Sequence, residues 1–309
     1  MSDAAVVRAP VALTVMISVA FISCWASGYI AARFTKELFT PFNLLFARYV
    51  VTIIALLAIV IWKNGSDTGR AIRREMTTIQ VVLGILYHAA YIGGVFYAVK
   101  LGLSAGVAAV ILATQPLATT MIECGLRRTV PSGRLMSGAA ICIAGTAILS
   151  GITGVDDLST DMAPLMVAGL AVLAISVATI VHAKSVQSMD VWPALLVQFM
   201  SAALAVALLL ISGVEQINIT INSYTFVVVL FLVFVTTIGS YVSMNWLIAN
   251  METETYSLLF YLVPPTVFFM EFVIFNGTIS LKQLLGCVVA LFGVYISLSG
   301  KPKIGGATG

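Results

Sequence analysis

Ten long apolar segments limit the folds open to this chain more than any other feature of its sequence. Each is about 20 residues long, and a helix of that length crosses roughly 30 Å of hydrocarbon. The segments are Val11–Ala32, Pro41–Trp62, Thr77–Val99, Ser104–Glu123, Gly133–Ile152, Met162–Ala183, Val191–Ser212, Tyr224–Ile248, Thr255–Phe275 and Leu281–Ser299. None alternates apolar and polar residues with a period of two, which argues against the strands of a membrane barrel. The sequence therefore predicts an all-α integral membrane protein with ten transmembrane helices.

Composition supports lipid as the solvent. Of 309 residues, 60% are hydrophobic and 9% are charged, whereas soluble domains carry about 25% charged residues. The net charge of +3 is too small and scattered to predict a nucleic-acid partner, so the expected partners are the lipid bilayer and a small-molecule substrate. The four cysteines lack CxxC spacing, and the chain lacks a GxxxxGK motif followed by Ser or Thr. We therefore expect no metal, no cofactor and no ATP hydrolysis.

The two halves of the sequence repeat each other at a shift of 148 residues (264 − 116). Four identities recur without a gap, as the pairs Pro116/Pro264, Glu123/Glu271, Gly138/Gly286 and Gly145/Gly293. This self-similarity indicates an internal duplication, which divides the chain into repeats at 1–155 and 156–309. Because each repeat holds five spans, an odd number, the second repeat inserts upside down relative to the first. Two inverted five-helix repeats around a central cavity are typical of alternating-access transporters.

Basic residues predict the orientation of the chain. With a cytoplasmic N-terminus, eleven lysines and arginines lie in the inner loops and tails, and four lie outside. This bias follows the positive-inside rule and places both termini in the cytoplasm.

Prolines within two spans predict bent helices. Pro116 lies near the middle of the fourth span, and Pro264 and Pro265 lie at the equivalent place in the ninth. A proline there removes a backbone hydrogen bond, so the chain bends. We expect these bends to shape or gate the central cavity, although a kink that only improves packing is the alternative.

Polar and aromatic side chains inside the spans are candidates for contact with a solute, because lipid would leave their polar atoms without hydrogen bonds. The predicted lining is Trp25, Tyr29, His88, Tyr91, Gln115, Tyr241, Asn245 and Tyr261. His88 and Tyr91 share one helical face, and Thr237, Tyr241 and Asn245 follow one another every four residues. A cavity walled by such rings suits a small apolar or aromatic solute. The alternatives are a histidine bonded to a backbone carbonyl and tyrosines that anchor span ends.

Three charged residues lie in or at the ends of spans. Arg48 is either a receptor for a solute carboxylate or a buried structural arginine. Glu123 and Glu271 end the fourth and ninth spans at opposite membrane faces, where structural pairing or gating is expected. Glu123 is placed to pair with Arg127 one helical turn later. The four repeated glycines are expected to allow close helix approach.

Several stretches resemble a known family. Phe96-Tyr97-Ala98-Val99-Lys100, Gln115-Pro116-Leu117, Phe292-Gly293-Val294 and Trp25-Ala26-Ser27-Gly28 resemble the EamA-type repeats of the drug/metabolite transporter superfamily. The resemblance covers nearly the whole chain and implies a ten-helix exporter of the bacterial inner membrane, nearest to the exporters of aromatic amino acids. Many members carry Gly-Glu after the fourth and ninth spans, where this chain has Arg127-Arg128 and Asn276-Gly277. Any role of that glutamate in relatives is therefore not expected in this chain.

The expected function is secondary export of small amphipathic metabolites, with aromatic or apolar amino acids as the expected substrates. Alternatives are a multidrug or sugar-nucleotide carrier on the same scaffold, or a membrane enzyme acting on lipid head groups. Such an enzyme needs clustered acids and histidines, and the two histidines are expected at different depths without acidic neighbours. The protein is expected to be monomeric or weakly self-associating. Proton coupling and facilitated diffusion both stay open.

Overall fold

The structure is a computed structural model that describes residues 10–35, 39–103, 105–151, 162–218, 222–275 and 280–299. These residues form helices and connecting turns, with no strand among them. Within these ranges nine helical segments are long and apolar enough to cross a membrane, and the shorter apolar helix Gly133–Leu149 completes the ten predicted spans. The predicted repeat boundary at 155/156, the start of the fourth span at Ser104 and the Asn276-Gly277 pair lie outside the described residues.

Six of the ten spans are single α-helices. They are α1 (Val11–Thr35), α2 (Pro41–Asn64), α8 (Gly133–Leu149), α9 (Met162–Ser185), α10 (Val191–Ile211) and α15 (Leu281–Ser299). Local chemistry fixes several of their ends. Pro41 opens α2, where its missing N–H leaves no bond unmade, and the Ser132 hydroxyl accepts from the Leu135 N–H at the start of α8.

The third and eighth spans each contain a π-helical segment between two α-helices. The third span consists of α4 (Thr78–Gly84), the π segment Ile85–Gly93 and α5 (Gly94–Lys100). The eighth consists of α11 (Ser223–Phe231), the π segment Leu232–Gly239 and α12 (Ser240–Asn250). A shift of 148 carries 85–93 onto 233–241, so the two π segments occupy equivalent places in the two repeats.

The fourth and ninth spans are interrupted at equivalent places as well. The fourth consists of α6 (Ala105–Leu112) and α7 (Gln115–Arg127), separated by a turn. The ninth consists of α13 (Thr253–Leu258), a 3₁₀ turn (Leu259–Leu262) and α14 (Val263–Phe275). The starts of α7 and α14 are 148 residues apart (263 − 115). Each of these helices therefore begins one residue before a repeated proline, where a missing N–H is tolerated.

One short helix is absent from the sequence prediction. Helix α3 (Thr68–Glu75) lies between the second and third spans. Its Ile72 packs against the core, while Arg70, Arg73 and Arg74 are exposed. Because three of its eight residues are arginines, this helix contains no apolar run, and hydropathy does not predict it.

The fifth and tenth spans pack closely, and their contacts relate the two repeats. A Cβ atom added at Gly138 would lie 2.7 Å from the Gly293 carbonyl oxygen, and one at Gly286 would lie 2.9 Å from the Gly145 carbonyl oxygen. The contacts run in opposite directions along the two helices, so α8 and α15 are antiparallel. The shift of 148 converts the first of these contacts into the second. The pair therefore has the local two-fold relation that inverted repeats produce, and the glycines permit the predicted close approach.

Two buried carboxylates connect the repeats at the ends of α2 and α10. Glu215, after α10, accepts from the Phe42 N–H near the start of α2 at 2.8 Å. Glu75, after α2, accepts from the Asp190 N–H before α10 at 3.0 Å. Phe42 and Asp190 are 148 residues apart (190 − 42), so the two N–H donors occupy equivalent positions, whereas the two carboxylates are 140 residues apart (215 − 75) and do not. Lys100 adds an ion pair with Glu215 at 3.1 Å.

Candidate functional site

A small cavity lies between the spans that carry the π segments and the first two spans. Its volume is about 70 Å³, room for a few water molecules. The lining residues are Trp25, Gly28, Tyr29, Arg48, Tyr91, Ile92, Val95, Phe96, Thr236 and Tyr241. Thr236 and Tyr241 belong to the second half of the sequence and the others to the first. The cavity is therefore built by both halves, and both π segments contribute to its wall.

Aromatic rings form most of this wall. Trp25 and Tyr91 are stacked, with ring centroids 6.2 Å apart and planes 22° from parallel. The Tyr241 ring centroid lies 5.7 Å from that of Trp25, with the ring planes 52° apart. Phe260 packs edge-on against Trp25, with the ring centroids 5.2 Å apart. These contacts hold the indole in place, and ring faces next to open space favour flat apolar groups.

Arg48 brings the positive charge to this cavity. Its Nε donates to the Thr237 hydroxyl oxygen at 2.7 Å, and the side chain is 7% exposed. Thr237 itself donates to the Leu232 carbonyl five residues earlier, at 2.8 Å. That bond across the π segment turns the Thr237 oxygen toward Arg48. Among the described residues, no carboxylate forms an ion pair with Arg48.

His88 lies behind the cavity wall. Its ring centroid is 4.0 Å from that of Phe199 and 4.6 Å from that of Tyr241, and the residue is fully buried. Neither ring nitrogen has a hydrogen-bond partner among the described residues. The backbone carbonyl of His88 accepts from the Tyr49 hydroxyl at 3.0 Å. A π turn is wider than an α turn, so the α-helical spacing that puts His88 and Tyr91 on one face does not apply here.

Asn245 belongs to a second polar group, which the sequence did not predict. Its Nδ2 donates to the Tyr241 carbonyl at 2.6 Å, which leaves Oδ1 facing His182 Nε2 at 2.9 Å. Nε2 therefore carries the proton, and Nδ1 of His182 is free to accept from the Tyr87 hydroxyl at 3.4 Å. The Tyr87 ring thus neighbours both histidine rings, with its centroid 6.3 Å from that of His88 and 5.7 Å from that of His182. The two histidines therefore share Tyr87 as a neighbour. That they lie at different depths in the membrane stays a prediction.

Gln115 and the prolines lie at the helix interruptions. The Gln115 side chain is buried, donates to the Thr119 hydroxyl at 3.0 Å and leaves Oε1 without a partner among the described residues. Its carbonyl accepts from the Ser176 hydroxyl on α9 at 3.4 Å. Pro116 is the second residue of α7, and Pro264 and Pro265 are the second and third of α14. Whether these interruptions act as gates stays a prediction.

The remaining predicted residues lie away from the cavity lining. Tyr261 packs with Leu135, Ala139 and Val294 beside the antiparallel α8–α15 pair. Glu123 forms the predicted ion pair with Arg127. Glu271 is half-buried on α14. Of the eight predicted solute contacts, four line the cavity in this conformation: Trp25, Tyr29, Tyr91 and Tyr241.

Several cavity residues gave no signal in the sequence. Ile92, Val95 and Phe96 are ordinary apolar residues of a span, and Gly28 lines the wall through its backbone. Thr236 could have been found, because it is a polar residue next to the Thr237–Tyr241–Asn245 line. Those three residues are all buried, as their four-residue spacing predicted.

Comparisons with known proteins agree with this architecture. The sequence model of the EamA-like transporter family matches residues 11–151 and again residues 162–299. A protein of Salmonella typhimurium described as "Probable amino-acid metabolite efflux pump" is 27% identical over 218 residues, which cover 66% of this chain and 71% of that protein. A solved crystal structure has the same fold, with a TM-score of 0.75 over 94% of this chain and 98% of the other, at 16% identity. The two family matches together span most of the sequence, and the chain therefore belongs to the EamA-like transporter family.

Proposed function

We propose that this protein is a secondary exporter of small amphipathic metabolites, with aromatic or apolar amino acids as its substrates. The observation that carries the proposal is the cavity shared by both halves of the chain, walled by Trp25, Tyr29, Tyr91 and Tyr241. Ring faces favour an apolar side chain, and Arg48 gives one edge of the same cavity a positive charge. The transporter family and the amino-acid efflux pump among its relatives support this direction.

Alternating access is the proposed mechanism. A cavity of about 70 Å³ is smaller than a drug-sized binding site, which encloses roughly 300–1,000 Å³. The solute therefore enters and leaves through conformations in which the wall has moved apart. The helix interruptions before Pro116 and Pro264 are suitable hinges, because the chain there lacks part of its regular helical hydrogen bonding. Their equivalence in the two repeats lets one half open toward each side.

The membrane setting is also proposed. An exporter of this family with a positive-inside bias places both termini in the cytoplasm of a bacterium, with the chain in the inner membrane. Because every cavity residue belongs to one chain, a monomer, or a weakly self-associating protein, is sufficient for transport.

Counterflow in proteoliposomes tests the proposal. Vesicles loaded with unlabelled L-phenylalanine or L-tyrosine should accumulate the labelled amino acid above the level of empty vesicles, with and without a pH gradient. Dependence on the gradient would identify proton coupling, and independence would identify a facilitator. Absence of flux for both amino acids in vesicles that hold folded protein would overturn the amino-acid proposal.

A multidrug or sugar-nucleotide carrier is separated by the same assay. A sugar nucleotide carries phosphates that need several cations, whereas Arg48 is the one cationic residue among the described residues that line the cavity. Flux of an organic cation or a sugar nucleotide, without flux of phenylalanine, would favour that reading. We expect the opposite pattern.

A further inference from the structure

We propose that Arg48 receives the carboxylate of the transported solute, so that substrates of this protein must carry a free carboxylate. This inference rests on the proposed function and adds the chemical requirement that selects the substrate. It depends on four observations about one side chain: its burial, its unfilled donors, its position at the cavity and the absence of an acidic partner.

The first step concerns hydrogen bonding. A guanidinium has five N–H donors and no acceptor. The N–H at Nε donates to the Thr237 hydroxyl oxygen at 2.7 Å. The four N–H groups on the two terminal nitrogens have no hydrogen-bond acceptor among the described residues. These nitrogens are not among the fully buried unpartnered atoms of the described residues, and Arg48 lines the cavity, so the free donors are open to a group inside it.

The second step concerns charge. No aspartate or glutamate in the described part of the chain pairs with Arg48. The carboxylates that form ion pairs in this structure pair with other cations, namely Lys63, Arg70, Lys100 and Arg127. Arg48 is the eighth residue of α2, about 10 Å along the helix from its start, so it lies within the span. The buried charge of Arg48 therefore has no counter-ion in the described part of the chain. A carboxylate on the substrate can supply one.

The third step concerns geometry. Because Nε is bonded to Thr237, the guanidinium plane is fixed, and its terminal edge remains for a bidentate contact with a carboxylate. The same cavity is lined by Tyr91 and Tyr241, and Trp25 is stacked on Tyr91. An α-amino acid with a ring matches both features, with its carboxylate at Arg48 and its side chain between the rings. A neutral amide or an amine lacks the group that Arg48 recognises.

Equilibrium binding tests this inference separately from transport. Purified protein in detergent is heated with L-phenylalanine, L-phenylalaninamide or 2-phenylethylamine, and the rise in melting temperature is titrated against ligand concentration. For the unaltered protein we expect phenylalanine to bind about 10- to 100-fold more tightly than the amide or the amine. Equal affinity for acid and amide would overturn the role of Arg48, even if counterflow shows that phenylalanine is transported.

Variants locate the effect at the guanidinium. Arg48→Gln should weaken phenylalanine binding about 10- to 100-fold and leave the weak binding of the amide unchanged. Arg48→Lys should give an intermediate affinity, because the charge is kept and the bidentate edge is lost. Arg70→Gln, an exposed arginine on α3, is the matched control and should bind as the unaltered protein does.

The two proposals fail in different ways. Selective binding of the acid without counterflow would uphold Arg48 and refute the exporter. Counterflow without selective binding of the acid would uphold the exporter and refute the role of Arg48. If Arg48→Gln does not fold, the comparison of acid with amide on the unaltered protein decides the question alone.

Discussion

Tyr241 is the residue at which the cavity and the buried polar groups meet. Its ring lines the cavity and lies 4.6 Å from the His88 ring, and its carbonyl accepts from Asn245. Its hydroxyl has no hydrogen-bond partner among the described residues. A buried hydroxyl without a partner costs about 1–3 kcal/mol. Its presence is explained if the hydroxyl contacts the solute in an open conformation.

Removing that hydroxyl should separate stability from transport. We expect Tyr241→Phe to raise the melting temperature in detergent, because an unmatched polar atom leaves the interior. Counterflow of phenylalanine should fall, because the open conformation loses a hydrogen bond to the solute. Unchanged flux together with higher stability would show that the hydroxyl has no transport role.

Asn245 supports a different expectation, because both ends of its amide are bonded. Asn245→Leu should destabilise the protein by about 1–3 kcal/mol, since it leaves the buried His182 Nε2 without its partner. Asn250→Leu is the control, because its exposed amide bonds only the Trp246 carbonyl. Equal melting temperatures for the two variants would contradict the importance of the His182 contact.

The residues of the site were only partly predictable, for a physical reason. Hydropathy and spacing identify polar side chains that must face away from lipid, and Trp25, Arg48 and Tyr241 were found in that way. They do not distinguish a side chain facing the cavity from one packed against a neighbouring helix. His88 and Asn245 fall in the second class here, since Phe199 and His182 come from other spans.

At the scale of elements, the helix pair α8–α15 shows what the repeated glycines do. Gly138→Ala would place a Cβ atom 2.6 Å from the Ser297 nitrogen, closer than atoms approach without a backbone shift. We expect a loss of about 1–3 kcal/mol, measured as a lower melting temperature. Gly169→Ala on α9 is the control, because a Cβ atom there meets nothing within 4 Å. That change should be neutral or stabilising by up to about 1 kcal/mol.

The carboxylate caps are a second test at this scale. Glu215→Ala removes both the Phe42 N–H acceptor and the partner of Lys100, so we expect a loss of about 1–3 kcal/mol. Glu215→Gln should lose less, because its amide oxygen can still accept from Phe42. Asp67→Ala, which breaks an exposed pair with Arg70, should change stability by about 0–1 kcal/mol. A melting temperature for Glu215→Ala that matches that of Asp67→Ala would contradict the cap.

The membrane-spanning helices were predicted better than the irregular turns within them. The length of an apolar run sets a membrane span, so all ten spans were found. The π segments were not found, because a π turn follows from packing between helices and leaves no period in the sequence. The breaks before Pro116 and Pro264 were anticipated as bends, since proline itself removes the hydrogen bond.

At the scale of the whole molecule, the repeats share one cavity and the same interruptions. The antiparallel α8–α15 contact maps onto itself when the halves are exchanged, and the N–H donors of Phe42 and Asp190 map onto each other. We expect a structure built in this way to have two related conformations, which differ in the side toward which the cavity opens. Alternating access is the transport mechanism that this symmetry supports.

Thiol labelling at the cavity tests that claim most directly. Cys24, Cys124, Cys142 and Cys287 are replaced by alanine, and Gly28→Cys is introduced, where the new Cβ atom makes an ordinary contact with Thr236 at 3.8 Å. A membrane-impermeant maleimide is then applied to oriented vesicles from either side, with and without phenylalanine. Alternating access predicts labelling from both sides, at rates that phenylalanine shifts in opposite directions. Labelling from one side only, whether or not phenylalanine is present, would contradict it.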